Sequence, residues 1–252
     1  MSKPKLISLF SGAGGMDLGF KQAGFDIIYA NDFDEDAVKT YRNNIDENIV
    51  LGDICNIESN QIPDNPDVVI GGFPCTGFSI ANTKRNMDDE RNYLYQQLLR
   101  IVDDKQPKIF VAENVKGLLS MDKGKVIEMI LNDFKRIGYD ADYKILNAAD
   151  YGVPQLRERV IIIGNRCGIK NTFPNPTHTD KSKSQKTLLV GNDLKSHIST
   201  KQAIGYLSDV KISYNPINLD GKLFIIIWLQ QMFQINFGQE NIMLNKVIFV
   251  II

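Results

Sequence analysis

Four short stretches of this sequence carry side chains that can do chemistry, and three of them have glycine or proline within them. The first is the run Phe10, Ser11, Gly12, Ala13, Gly14, Gly15. Its glycines let the backbone turn tightly and approach a ligand closely. Between a strand and a helix, such a loop holds nucleotides. The spacing is not the GxGxxG of dinucleotide enzymes. Asp32 follows Gly12 by 20 residues, an offset at which a carboxylate can accept bonds from ribose hydroxyls. Loop and acid together point to an adenosine-type ligand. Asp53, after Gly52, reads either as an acceptor for an adenine amino group or as a plain turn aspartate.

The other three stretches suit covalent and acid–base work. Cys75 sits in Gly-Gly-Phe-Pro-Cys-Thr-Gly-Phe-Ser, where Pro74 stiffens the backbone and glycines keep the approach open. A thiol there can be a nucleophile if its pKa is lowered. Cys55 and Cys167 read as small buried hydrophobes. Glu113, in Ala-Glu-Asn-Val, would face the same sheet edge as Cys75, or else cap a helix or stand in solvent. In Tyr151-Gly-Val-Pro-Gln155-Leu-Arg157-Glu-Arg159, alternation puts Gln155, Arg157 and Arg159 on one side. Two guanidiniums on one face suit phosphate or carboxylate recognition, or form only a charged sheet edge.

These residues need a scaffold that brings strand ends together. Apolar runs at residues 5–10, 26–31, 67–71, 108–112, 143–147 and 160–164 read as strands, with a further strand ending near Leu51. Helical patterns cover residues 16–23, 34–44, 93–104 and 126–137; Gly24 and Gly138 stop two of them, and Asp34 is placed to cap one. Alternation of strands with helices implies a parallel sheet covered on both faces. The last two strands have only a loop between them and should pair antiparallel.

Composition excludes several classes. Lys plus Arg is 29 and Asp plus Glu is 30, and the hydrophobic fraction of 43% is that of an ordinary globular chain. A disordered, collagen-like or coiled-coil protein is ruled out. The near-neutral balance neither announces nor excludes a nucleic-acid partner. Three cysteines and two histidines make neither a disulfide framework nor a metal site, and His178 and His197 read as loop residues. The N-terminal apolar stretch is too short for a secretory signal and no apolar run reaches membrane-spanning length, so a cytoplasmic location is expected. Residues 170–201, with six lysines against two aspartates, read as a loop or linker, either solvated or DNA-facing. Residues 221–252, with only three charged side chains, read as buried strands or an exposed, aggregation-prone tail.

In order, spacing and placement, the motifs resemble the DNA (cytosine-5) methyltransferases of bacterial restriction–modification systems. Phe10–Gly15 is similar to the family's motif I, Asn31-Asp32-Phe33 to motif II and Gly52-Asp53-Ile54 to motif III. Pro74-Cys75 resembles motif IV, Glu113-Asn114-Val115 motif VI, and Gln155-x-Arg157-x-Arg159 motif VIII. The resemblance spans roughly residues 5–178. It implies a Rossmann-like α/β fold: a mostly parallel seven-stranded sheet, an antiparallel last strand and helices on both faces. It implies methyl transfer from S-adenosylmethionine to C5 of cytosine in double-stranded DNA, leaving S-adenosylhomocysteine. Cys75 would attack C6 of a flipped-out base, Glu113 would engage N3, and Arg157 and Arg159 would hold the cytosine or its phosphate. Phe10, Ser11, Gly12, Gly14, Gly15, Asp32, Phe33, Asp53, Ile54, Pro74 and Leu94 would bind the cofactor.

Two departures bear on these expectations. The family has Gln after the cysteine, and here it is Thr76. Beyond about Pro216 nothing resembles the family's motifs IX and X. The expectation is therefore a cofactor-binding and catalytic domain over residues 1–178, followed by a partial linker or target-recognition region over 179–252, in a C-terminally truncated member. It would be a monomer, with a companion restriction endonuclease acting on the same site. The competing readings are an inactive cofactor-binding remnant and a tRNA cytosine-C5 methyltransferase.

Overall fold

The computed structural model describes residues 2–74, 94–180 and 194–205. Seven strands form one sheet in the order β3-β2-β1-β4-β5-β7-β6. They are β1 (Lys5–Leu9), β2 (Asp26–Asp32), β3 (Ile49–Leu51), β4 (Val68–Gly71), β5 (Ile109–Val115), β6 (Asp140–Asn147) and β7 (Glu158–Asn165). The helices are α1 (Gly15–Gln22), α2 (Glu35–Asn44), α3 (Leu94–Lys105) and α4 (Lys125–Arg136). Adjacent strands from β3 through β5 pair parallel, while β7 runs antiparallel to both β5 and β6. The chain leaves β1 toward β2 on one side and later returns to β4 on the other. This switch opens a crevice at the carboxyl ends of β1 and β4, where open α/β sheets bind ligands.

Side-chain alternation splits the core into two layers. Ile7, Leu9, Val69, Phe110, Ala112, Val160 and Ile162 face α3 and α4. Leu6, Ala30, Val68, Ile70, Val111, Ile161 and Ile163 face α1 and α2. Both sets are buried, as period-two patterning requires of a sheet covered on both faces. Phe110 stacks on Phe134 of α4 with centroids 3.9 Å apart. The buried Tyr139 hydroxyl donates to the Pro107 carbonyl at 2.6 Å. Asp34 caps α2, accepting from the Ala37 N–H at 2.8 Å.

Three differences from the sequence reading are the largest. β5 continues through Val115 rather than stopping at Ala112, because its pairing with β7 extends to Val115 opposite Arg159. Glu113 and Asn114 therefore sit within a strand. β6 starts at Asp140, three residues before the apolar run, since the ladder with β7 holds polar positions too. Residues 170–201 are not wholly loop: β8 (His178–Thr179) and β9 (Lys195–Ser196) pair parallel, and the short helix α5 (Thr200–Ile204) follows. The tail expectation for 221–252 lies outside the described residues. Among the described residues no helix is long and apolar enough to cross a membrane.

Candidate active site

The glycine loop leaves β1 in an unusual conformation. Phe10 has φ 55°, a left-handed backbone that costs an aromatic residue about 1 kcal/mol or more. Neighbouring bonds enforce it. The Ser11 N–H donates to the Asn31 carbonyl at 3.0 Å, and the Ser11 hydroxyl donates to Ser8 Oγ at 2.9 Å. Gly12, at φ +55°, gives its N–H to Asp32 Oδ2 at 2.7 Å. Gly14, at φ +87°, precedes α1 with no room for a side chain: a Cβ there would lie 2.5 Å from Ile45 Cγ1 and 2.7 Å from Tyr41 Cδ2. Gly15 is the first residue of α1. The loop is thus held to β2 and α2 before any ligand arrives.

Asp32 does more than the sequence offset suggested. Its second oxygen accepts from the Asp34 N–H at 3.0 Å, so the carboxylate fastens the loop to the end of β2. Each oxygen keeps a further lone pair for a ribose hydroxyl. Beside it opens a cleft of about 230 Å³ between Phe10 and Phe33. Phe33 is 74% exposed, leaving an aromatic face free to stack. Asp53, Ile54, Pro74 and Leu94 also line the cleft. Asp53 also accepts from the Cys55 N–H at 2.9 Å, capping the 3-10 turn Ile54–Asn56, as the turn reading anticipated. Flat aromatic faces, a carboxylate at the ribose offset and a partly apolar wall fit an adenosine group.

A second cleft, of about 370 Å³, shares Phe10 and Gly72 with the first. Glu113, Arg157, Ser8, Ser11 and Asp17 are among the residues that line it. Arg159 Nε lies 2.8 Å from Glu113 Oε1, and Arg157 lies 3.8 Å from the same oxygen. This convergence depends on the reversed strand. Because β7 runs against β5, its opening residues meet the carboxyl end of β5. Gly72 leaves room for the carboxylate, since a Cβ would sit 3.3 Å from Glu113 Oε2 and press it aside by a few tenths of an ångström. Gln155 is exposed, and no bond of its side chain joins it to this cluster among the described residues. Pro74 ends the described segment after β4. Cys75 lies outside the described residues.

Sequence reasoning missed four supports. Asn114 is buried and donates to the Phe73 carbonyl at 2.9 Å, holding the chain one residue before Pro74. Asn147 Oδ1 accepts from the Arg157 N–H at 3.1 Å, fixing the arginine stretch to the end of β6. Arg100 Nη2 donates to the Ile54 and Ile57 carbonyls at 3.0 Å each, bracing the wall of the smaller cleft. Asp17, 1% exposed, accepts from the Tyr41 hydroxyl at 2.8 Å. Burial raises its carboxyl to about 6, against the lowering effect of the Ser8 and Tyr41 hydroxyls. Burial and the adjacent Asp17 push the Tyr41 phenol well above its ordinary value. Only Asn114 stood inside a recognised motif.

A doubly wound sheet with a reversed seventh strand, a glycine loop at the switch point and a carboxylate–guanidinium cluster beside it defines the Rossmann-like methyltransferase fold. Residues 4–222 match the model of the C-5 cytosine-specific DNA methylase family, and the chain belongs to that family. It is 46% identical over 207 residues to the type II methyltransferase M.NgoFVII of Neisseria gonorrhoeae, covering 81% of this chain and 53% of that one. It is 44% identical over 219 residues to M.AquIA of Picosynechococcus sp., covering 81% of this chain and 88% of that one. The chain thus spans about half the length of the first relative and most of the second. The solved structure of Entamoeba histolytica methyltransferase EhMeth superposes with a TM-score of 0.61 at 20% identity, over 84% of this chain and 62% of that one; it supports the fold.

Proposed function

We propose that this protein transfers a methyl group to C5 of cytosine in double-stranded DNA, as the modification partner of a restriction endonuclease. One observation carries the reading. Glu113 and Arg157 line one cleft, with Arg159 against Glu113, and that cleft adjoins the glycine loop and the strand end leading to Cys75. Residues 1–178 would bind cofactor and do the chemistry, with 179–252 serving the approach of DNA. The protein would act as a monomer in the cytoplasm.

The C5–C6 bond of cytosine is a poor nucleophile until a thiolate adds to it. The Cys75 thiolate would form a bond to C6, moving the C5–C6 π electrons onto C5. Glu113 would hold a proton at N3 and so favour that shift, with Arg159 keeping the carboxyl oriented. S-adenosylmethionine, when bound, supplies the methyl group that C5 accepts. A base then removes the C5 proton, the double bond reforms, and the Cys75 thiolate leaves. Phe10 and Phe33 would hold the adenine, Asp32 the ribose and Asp53 the adenine amino group. The base must leave the duplex to reach the cleft.

The test is transfer of labelled methyl groups from S-adenosylmethionine to unmethylated DNA of mixed sequence, with Cys75→Ala in parallel. Label in DNA that vanishes with Cys75→Ala is expected. Label in tRNA alone would replace the substrate, and no transfer by folded protein would favour an inactive remnant.

A further inference from the structure

The larger cleft is lined by a carboxylate that meets no side-chain cation among the described residues. Asp17 lines it at 1% exposure. Oδ1 accepts from the Tyr41 hydroxyl, while Oδ2 has no hydrogen-bond partner among the described residues. Lys21, the one lysine of α1, is turned away to Asp46 at 2.9 Å and to the Ile45 carbonyl. The groups facing Asp17 are Tyr41 from α2 and Ser8 from β1, and Glu113 and Arg157 line the same cleft. The two arginines flank Glu113 instead, Arg159 at 2.8 Å and Arg157 at 3.8 Å. The first turn of α1 offsets part of the Asp17 charge, and no side-chain cation among the described residues offsets the rest. A buried carboxylate left this way is costly, and its carboxyl is correspondingly held up at about 6. A cationic ligand would relieve that cost.

We propose that Asp17 is the counter-charge for a sulfonium cation in the larger cleft, so that it raises the affinity for the charged methyl donor relative to that for the neutral thioether product. The inference rests on the function proposed above. S-adenosylmethionine and S-adenosylhomocysteine differ by one methyl group and one positive charge, and Asp17 senses the charge. It touches no reacting atom and acts through its field, which the low dielectric around a buried carboxylate strengthens. It is a positioning residue for the donor. That relative gain is present above about pH 6, where Asp17 is ionised, and fades as pH falls through that value.

The experiment is calorimetric titration of the full-length chain with S-adenosylmethionine and with S-adenosylhomocysteine, at about pH 8 and about pH 5. Wild type is compared with Asp17→Asn and Tyr41→Phe. The readout is the ratio of the two affinities. At the higher pH, Asp17→Asn is expected to shift that ratio about tenfold toward the thioether. The wild-type ratio should shift the same way on acidification, while the Asp17→Asn ratio stays level and Tyr41→Phe stays like wild type at the higher pH. Equal ratios in wild type and Asp17→Asn, or a wild-type ratio indifferent to pH, would overturn the proposal while leaving the functional reading intact. Wild type that binds neither compound would sink both. If Asp17→Asn does not fold, the wild-type pH series and Tyr41→Phe decide the matter.

Discussion

Gly14→Ala tests whether the glycine loop is held by packing as well as by backbone freedom. Gly14 has φ +87°, and an added Cβ would stand 2.5 Å from Ile45 Cγ1 and 2.7 Å from Tyr41 Cδ2. Both neighbours are buried, at 7% and 0% exposure, so neither can swing into solvent. The left-handed backbone costs alanine about 1 kcal/mol, and overpacking against an immobile wall adds about 1–3 kcal/mol. A loss of roughly 2–4 kcal/mol lowers the melting temperature of a chain this size by roughly 5–15 °C. Gly12→Ala is the control: its φ is +55°, but an added Cβ meets nothing within 4 Å. It bears the backbone term alone, roughly 2–4 °C. Thermal unfolding followed by far-ultraviolet circular dichroism measures both. Equal melting temperatures for the two variants would refute the packing argument.

Three further outcomes are expected. Asn114→Ala removes a buried donor from the Phe73 carbonyl; it should cost about 1–3 kcal/mol of stability and cut methyl transfer more than cofactor binding, as separate melting and titration assays would show. Arg159→Lys keeps the charge but loses the planar guanidinium beside Glu113; kcat for methyl transfer should fall at least tenfold with cofactor affinity unchanged, and an unaltered kcat would count against that role. Asp17→Asn should raise the melting temperature of the ligand-free protein near pH 8, because a carboxyl raised from 3.8 to about 6 stabilises the fold only while protonated, and that contribution is lost as pH rises through 6. The gain, at most about 3 kcal/mol, should shrink below pH 6, and a gain that does not depend on pH would contradict the assignment.

Much of this arrangement was legible in the sequence because its rules are local. The apolar runs that became β1, β2 and β4, the glycine stops of α1 and α4, and the Asp34 cap depend on near neighbours. The pairing of the last two strands followed from the short loop between them. Glu113, expected at the sheet edge of Cys75, meets Arg157 and Arg159, expected on one side of the stretch before the last strand. What was not legible depends on partners remote in the chain. The full extent of β5 is set by its ladder with β7, some 50 residues on. Asn114 reaches Phe73 and Asp17 reaches Tyr41, 41 and 24 residues away. No periodicity marks such pairs. The strain at Phe10 was hidden for the same reason, since an aromatic with positive φ is imposed by its surroundings.

The reversed seventh strand also shapes how the chain is made. β4 pairs with β5 as soon as both exist, but the other flank of β5 waits for β7. About 40 residues separate Val115 from Glu158, so a ribosome needs a few seconds to complete the sheet. Through that interval the most apolar strand edge of the nascent chain, Ile109 to Ala112, has open hydrogen-bonding groups and no cover from its eventual neighbour. β6 emerges meanwhile but finds its place only through β7. Slow codons or a stall before residue 158 should therefore lower the yield of folded protein far more than a pause after residue 165, and chaperone demand should peak within that same window.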